Sequence, residues 1–222
     1  MEKNSRISLI QKYKELTQNV QQEKISILSK LKQQGYLTID DHINESSNLC
    51  IILSCPGEQE LLEDKVCAGQ TGENLEKILK IVTKKIKAIK PAYQDGDGQK
   101  RYCYTIINSS NIVHFREYNN AEPTDAEILC KDNLLRIEKE LSNMHFKYCI
   151  ICGDKANLLF ENLNIACEKS VHVCHIGNVG LRNTYRCKYS IGTGKTIESL
   201  PENQRDNKRI DLVACEIIDA YK

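Results

Sequence analysis

Leu49-Cys50-Ile51-Ile52-Leu53 is an unbroken apolar run followed directly by Ser54-Cys55-Pro56-Gly57, and a second turn, Gly69-Gln70-Thr71-Gly72, begins twelve residues after Gly57. A short apolar run that ends in Pro-Gly is typical of a buried strand with a rigid turn at its carboxyl end. Glycines at the start of a helix let a ligand approach free backbone amides, which favour an anion such as phosphate. The pattern predicts a strand, a loop and a helix that form a ligand site; an ordinary βα loop with an acidic surface is the alternative.

Strand and helix patterns alternate along the rest of the chain. Strands are predicted at 49–54, 102–108, 147–152 and 170–175, and helices at 5–34 (one or two helices), 71–90, 123–142, 154–162 and 205–221. Such alternation requires a parallel sheet covered by helices on both faces, so the predicted fold class is α/β. No linker or repeat divides the pattern. We expect one domain over residues 1–222, with residues 1–36 as a helical extension at its amino terminus.

Composition places the chain among ordinary globular proteins: 41% of its 222 residues are hydrophobic, 27% are charged and the net charge is +1. No apolar run reaches the length of a signal core or a membrane span, so we expect a cytoplasmic protein with no membrane partner. Its eleven cysteines are then expected as thiols. Cys149 and Cys152 have the spacing of metal ligands, but they lie in an apolar strand where alternation separates or buries them, so no metal is expected.

The ends of the predicted strands carry small and polar side chains. Parallel strands bring their carboxyl ends to one edge of the sheet, which places Ser54-Cys55, Asn108-Ser109-Ser110-Asn111, Gly153-Asp154 and His175-Ile176-Gly177 around one cleft. Asn108 offers a paired donor and acceptor that suit the edge of a nucleobase. His175 can stabilise a developing anion or bind a phosphate. A turn-capping Asn108 and a structural His175 are the alternatives.

In their order along the chain, these motifs resemble the uracil-DNA glycosylase superfamily, particularly its bacterial and archaeal family four branch, over most of residues 48–221. The resemblance rests on Pro56-Gly57, Gly69 to Gly72, Tyr104 to Asn108, Pro123 to Ile128, Tyr148 to Ala156, His175 to Gly177 and Leu181-Arg182. It implies a three-layer α/β/α sandwich with a short central parallel sheet. It also implies that Asn108 reads the base edge, that His175 approaches the leaving base and that the loop with His175 and Leu181-Arg182 brings a wedge into the DNA helix.

Several positions depart from the family pattern. Ser54 and Cys55 stand where the family places its water-activating side chains, and Cys67 stands where a phenylalanine stacks on uracil. The family's iron–sulfur cysteines are missing too, so no cofactor is expected. Cleavage of an N-glycosidic bond builds positive charge on the sugar and negative charge on the base. Glu60 or Asp64, which lie in the loop after the first strand, is predicted to stabilise the water or the cation in place of the missing acid.

The resemblance implies a monofunctional DNA glycosylase, a hydrolase that flips a base out of duplex or single-stranded DNA and leaves an abasic site. The predicted base pocket comprises Ser54, Cys55, Pro56, Gly57, Cys67, Asn108 and Ser109, and the predicted DNA contacts are Gly69, Gln70, Thr71, Gly177, Arg182 and Arg186. The loss of the stacking ring favours a base bulkier than uracil, such as a deaminated purine or a hypermodified pyrimidine of viral DNA. The setting is then base excision in DNA repair or antiviral defence, by a monomer.

Two other functional classes remain open at this point. A glycosylase-like module without catalysis would bind DNA or a protein partner and release no base. A nucleotide-handling enzyme is suggested by Gly192-Thr193-Gly194-Lys195-Thr196, although Tyr189 stands where the phosphate-loop pattern requires a glycine. A polar turn is the favoured interpretation of that segment.

Overall fold

The computed structural model describes residues 2–16, 21–89, 100–116, 121–188, 192 and 194–222. Within them, four parallel strands form one sheet in the order β2-β1-β3-β4: β1 Leu49–Leu53, β2 Thr105–Asn108, β3 Phe146–Cys152 and β4 Cys167–Val173. Every residue of β1 is buried, as expected for a central strand with helices on both faces. Leu53 pairs with Asn108, so β1 and β2 end level at the carboxyl edge of the sheet.

Helices cover both faces of the sheet. Those in the described residues are α1 Glu2–Glu15, α2 Gln21–Gln33, α3 Glu58–Glu63, α4 Gly69–Lys85, α5 Asp125–Ile128, α6 Lys131–Leu141, α7 Asp154–Asn162, α8 Asn178–Tyr185 and α9 Glu202–Tyr221. The pleat of β1 sends Ile51 into a core shared with α1, α2, α4, α8 and α9, and sends Ile52 into a second core with α5, α6 and α7. The predicted α/β class is confirmed, as a three-layer α/β/α arrangement.

The first two helices belong to the larger of these cores. Tyr13 of α1 and Leu31 of α2 are buried in the same apolar cluster as Ile51 of the sheet. The segment after α2, residues 37–44, then runs along the outer edge of β2. His42 and Ile106 exchange two backbone hydrogen bonds of 2.9 and 2.8 Å, so this segment covers the edge of the sheet at β2.

Some predicted boundaries were wrong for identifiable reasons. The helix predicted at 123–142 is two helices, α5 and α6, because the backbone is extended at Cys130, the residue before α6. The strand predicted at 102–108 begins at Thr105, because residues 100–103 form a 3₁₀ turn. The helix predicted at 71–90 spans Gly69–Lys85, and residue 90 lies outside the described residues. The predicted strand 170–175 ends at Val173, so His175 follows the strand by two residues.

The sequence patterns did not predict α3 or α8. The segment with the predicted DNA contacts Gly177, Arg182 and Arg186 contains α8, and the loop after β1 contains α3. Both helices are short, and α8 buries only Leu181 and Tyr185 in the core, which is too few apolar positions for a helical period to stand out.

The prediction that Cys149 and Cys152 lie in an apolar strand that separates or buries them is confirmed. Cys149 lies in the core on the Ile52 side and Cys152 in the core on the Ile51 side, and both are buried. Among the described residues, no cluster of three or more His, Cys, Asp or Glu side chains could hold a metal ion. A search of the same residues found no helix with the length and apolar character needed to cross a bilayer.

Candidate functional site

A cleft of about 710 Å³ opens at the carboxyl edge of the sheet. Of the residues predicted for the site, it is lined by Ser54, Cys55, Gly57, Glu60, Cys67, Thr71, Asn108 and His175. They come from four separate parts of the chain and meet because the parallel strands end at the same edge. The volume lies within the range of pockets that bind small molecules or single groups of larger ones.

Asn108, the last residue of β2, has a buried side chain that is not fully satisfied. The residue is 1% exposed, and its amide nitrogen Nδ2 has no hydrogen-bond partner among the described residues. Most buried polar side chains in folded proteins are hydrogen-bonded, and an unpaired one calls for an explanation. The turn-capping alternative is not supported, because among the described residues neither Oδ1 nor Nδ2 of Asn108 makes a hydrogen bond to a backbone group.

His175 is held in one tautomer. The backbone amide of Gly177 donates a hydrogen bond of 3.1 Å to Nδ1, so in the neutral ring the proton resides on Nε2. Burial lowers the pKa of His175 below its ordinary value, while the carboxylate of Glu122 opposes that change. The ring is therefore uncharged near neutral pH and brings one N–H donor to the cleft.

Glycines allow the close packing around His175. A Cβ added to Gly180 of α8 would lie 2.1 Å from the carbonyl oxygen of His175, and one added to Gly177 would lie 2.8 Å from Cε1 of the ring. The first distance is far below van der Waals contact and involves backbone atoms. Glycine at positions 177 and 180 is thus required for the His175 ring to reach the cleft.

The loop that carries Cys67 is braced from behind. Cys67 adopts a left-handed backbone conformation with φ of +53°, and its carbonyl oxygen accepts a hydrogen bond of 3.0 Å from Nε of Arg101. A Cβ on Gly72 would lie 2.0 Å from the same carbonyl oxygen. Tyr102 adds a hydrogen bond of 2.7 Å from its hydroxyl to the carbonyl of Val66. The wall of the cleft that contains Cys67 is therefore held by buried contacts.

The two acidic residues predicted to replace the missing acid have different positions. Glu60 lines the cleft, and its Oε2 accepts a hydrogen bond of 3.0 Å from the amide of Gly57. Burial raises the pKa of Glu60, and hydrogen bonds from backbone amides oppose the rise. Asp64 ends α3 outside the cleft lining and forms an ion pair of 2.5 Å with Arg6. Glu60 is thus the candidate that remains, and the prediction for Asp64 is not supported.

Two other predicted pocket residues lie behind the cleft wall. Ser109 is fully buried, and its hydroxyl donates a hydrogen bond of 2.5 Å to the carbonyl of Ser54. Pro56 is also absent from the lining, and its carbonyl accepts a hydrogen bond of 2.8 Å from the amide of His114. Both residues hold the ends of β1 and β2 together.

Of the predicted DNA contacts, Thr71 lines the cleft and the other five are not among its lining residues. Gly69 and Gln70 begin α4, and Gly177 caps α8. Asn74 of α4 joins the starts of these two helices, because its Nδ2 donates to the carbonyl of Ile176 at 2.8 Å and to Oδ1 of Asn178 at 3.2 Å. The two helix amino termini therefore lie next to one another.

The two arginines that were predicted to contact DNA differ in their surroundings, and so do the apolar residues near them. Arg182 is exposed on α8, whereas Arg186 forms an ion pair of 3.0 Å with Glu198. Leu181, which belongs to the segment that the family resemblance implies brings a wedge, is 2% exposed and packs in the core. Val179 is 70% exposed at the rim of the cleft and is the apolar side chain that projects there.

Several cleft residues were not predicted. His114, Arg116, Glu122, Lys155 and Asn183 line it together with the residues above. Lys155 also forms an ion pair of 2.6 Å with Asp125. Four of these residues lie in connecting segments or on the first turn of α7, and Asn183 lies in the short helix α8, so no periodic pattern marks their side chains as facing a cleft. A second groove of about 430 Å³ shares Ser54, Glu122, Lys155, His175, Gly180 and Asn183 with the cleft and extends it toward α9.

Neither cleft cysteine can act as an anion near neutral pH. Burial raises the pKa of Cys55 and of Cys67 to about 12. We expect iodoacetamide at pH 7.5 to modify the exposed Cys130 and Cys187 at least about 100-fold faster than Cys55, because the thiolate is the reactive form. Peptide mass spectrometry over a time course measures these rates. Rapid modification of Cys55 in the folded protein would contradict this prediction.

No known protein-family model matches this chain, and no curated protein matches it in sequence. The geometry of the cleft is therefore the basis for assigning a function.

Proposed function

We propose that this protein is a monofunctional DNA glycosylase of the uracil-DNA glycosylase type, which hydrolyses the N-glycosidic bond of a flipped base other than plain uracil. The observation that carries the proposal is the buried, unpaired Nδ2 of Asn108 at the cleft wall. Leaving such a donor without a partner costs roughly 1–3 kcal/mol. A carbonyl or ring nitrogen of the base supplies the missing acceptor, and a neighbouring ring N–H or amino group of the base matches the amide oxygen.

His175 supports the same chemistry from the leaving-group side. When the bond between C1′ and the base nitrogen breaks, its electron pair stays on the base, so negative charge develops there. The neutral imidazole offers Nε2–H as a donor to that charge. One donor of this kind accounts for about 100- to 1000-fold in rate in other enzymes.

Glu60 supports the positive side of the transition state. Its carboxylate lies in the cleft, where it can stabilise the sugar cation while the oxygen of a water molecule bonds to C1′ and the proton that the water loses neutralises the departing base anion. Ser54 and the buried thiol of Cys55 supply no negative charge at the usual acid position. Because the usual acid position carries no charge, we expect the enzyme to act on a base that leaves readily or is strongly recognised.

We assign the binding of DNA phosphates to the adjacent amino termini of α4 and α8. Free amides at helix amino termini bind phosphate groups, and Arg182 adds an exposed positive charge on α8. Val179 projects at the rim, where an apolar side chain can enter the base stack as the target nucleotide leaves it. DNA binding should therefore weaken as salt rises.

The small side chains of the cleft favour a bulky base. Ser54, Cys55 and Cys67 leave room where a ring would otherwise stack. We propose a deaminated purine or a hypermodified pyrimidine of viral DNA as the substrate, released by a cytoplasmic monomer in repair or antiviral defence.

The deciding experiment is base release from a substrate panel. Duplexes and phage DNAs that carry uracil, hypoxanthine, hydroxymethylcytosine or glucosylated hydroxymethylcytosine are incubated with the protein, and alkaline cleavage reports abasic sites. We expect release from one modified substrate and its loss in His175→Ala. Release that persists in His175→Ala would remove this residue from the mechanism, and release of uracil alone would contradict the proposed substrate class.

A module without catalysis is the second candidate, because neither Ser54 nor Cys55 is ionised and Glu60 is engaged by a backbone amide. It predicts salt-dependent DNA binding with no abasic sites on any substrate of the panel.

A further inference from the structure

A buried carboxylate lies directly behind Asn108. The side chain of Asp41 is completely excluded from solvent, and its Oδ1 accepts a hydrogen bond of 2.8 Å from the backbone amide of Asn108. Asp41 belongs to the segment that runs along the outer edge of β2, so its carboxylate replaces a neighbouring strand at the last residue of β2. The backbone amide of Asn108 is thus fixed by a charged acceptor.

Arg136 of α6 completes the arrangement. It forms an ion pair with Oδ2 of Asp41 through Nη1, and its Nη2 donates a hydrogen bond of 3.2 Å to the carbonyl oxygen of Asn108. Asn133, one turn earlier on α6, donates a hydrogen bond of 2.7 Å from Nδ2 to the carbonyl of Ser109. Both backbone polar groups of Asn108 and the carbonyl of the next residue are therefore bound by side chains.

We infer that Asp41 is a positioning residue: with Arg136, it clamps the backbone of Asn108 and so sets the direction in which the side-chain amide of Asn108 meets the base. The inference rests on the proposed base-reading function of Asn108. Ordinary strand pairing to β1 restrains only one edge of β2, and the clamp restrains the other. A buried ion pair is a poor source of stability, because desolvation offsets its attraction, so precise geometry at Asn108 is the better reason for it.

The clamp carries its own pH dependence. Burial raises the pKa of Asp41 to about 7; Glu140 acts in the same direction, while Arg136 and the amide of Asn108 oppose it. As pH falls through this value, Asp41 takes up a proton and its ion pair with Arg136 is lost. Base release should then slow, because the backbone of Asn108 is held less firmly. The stability of the protein should change in the opposite direction. The folded protein holds this proton more tightly than the unfolded chain does. The contribution of Asp41 to the free energy of unfolding is therefore present below its ordinary pKa and is lost as pH rises to about 7.

The kinetic test uses Asp41→Asn, which keeps the size of the side chain and removes its charge. On the substrate found with the panel, we expect the single-turnover rate of base release at pH 8 to fall about 10- to 100-fold while DNA affinity is retained. The acidic limb of the pH profile near 7 should disappear in the variant. An unchanged rate at pH 8, or a loss confined to DNA affinity, would overturn the inference.

A double variant tests whether Asp41 acts through Asn108. If it does, adding Asp41→Asn to Asn108→Ala should cause no further loss of rate, whereas independent roles would multiply the two losses. Glu140→Gln is the matched control, because Glu140 contacts Arg136 at 3.3 Å and has no hydrogen bond to Asn108 among the described contacts. We expect its rate at pH 8 to equal that of the wild type.

A measurement without substrate separates failure of this inference from failure of the proposed function. In ¹⁵N-labelled protein, the backbone amide of Asn108 should exchange its hydrogen faster in Asp41→Asn than in the wild type, because the charged acceptor is lost. If the panel yields no base release and this difference is present, the clamp stands and the glycosylase proposal fails. If base is released and the amide is unchanged, the clamp is wrong.

Discussion

Asn108→Ala is expected to lower base release by about 100- to 1000-fold, the range found when one preorganised donor is removed from an active site. The same change should leave the free energy of unfolding unchanged or higher. Nδ2 of Asn108 is buried without a partner in the described residues, so its removal relieves an unfavourable contact and breaks no hydrogen bond of that group. The backbone bonds to Asp41 and Arg136 do not need the side chain and should persist.

The measurement combines alkaline-cleavage kinetics with urea denaturation of the wild type and the variant. Asn162→Ala is the matched control, because Asn162 is an exposed asparagine at the end of α7 whose side chain bonds only within its own helix. We expect the control to release base at the wild-type rate. Wild-type activity in Asn108→Ala would contradict a base-reading role for Asn108, and an unfolded variant would contradict the predicted stability.

Gly180→Ala is expected to destabilise the protein by about 2 kcal/mol or more and to abolish base release. Replacement of glycine by alanine inside a helix normally stabilises a protein by about 0.4–1 kcal/mol, so the expected sign is the reverse of the general rule. The reason is the distance of 2.1 Å between the new Cβ and the carbonyl oxygen of His175. Either α8 or the backbone of His175 must move, and both movements displace the imidazole from the cleft.

Urea denaturation and base release again provide the measurements. Val179→Ala serves as the stability control, because Val179 lies next to Gly180 on α8 and its side chain is exposed. The double variant Gly180→Ala with His175→Ala should remain destabilised, because the closest atom is a backbone oxygen and not the ring. If the double variant regained wild-type stability, the contact with the His175 backbone would not be the cause.

Sequence patterns predicted the central strands well because these strands are buried on both faces. β1 reads as five apolar residues, and the register of β1 with β2 brings Leu53 level with Asn108. The ends of such strands must meet, so the presence of Asn108 and His175 at one cleft followed from the order of elements alone. The patterns missed α3 and α8, which are short and owe their structure to contacts with the rest of the fold.

The amino-acid sequence by itself determined the α/β class and the edge of the sheet where polar side chains collect, because short apolar runs, helical periods and strand-end composition are local properties of the chain. Only the tertiary structure decided that Glu60 lies in the cleft while Asp64 pairs with Arg6, and that Leu181 is buried while Val179 is exposed. It also revealed Asp41 behind Asn108, a contact between residues 67 positions apart. Such choices depend on which of several similar side chains meets a distant partner, and that information is absent from any local stretch of sequence.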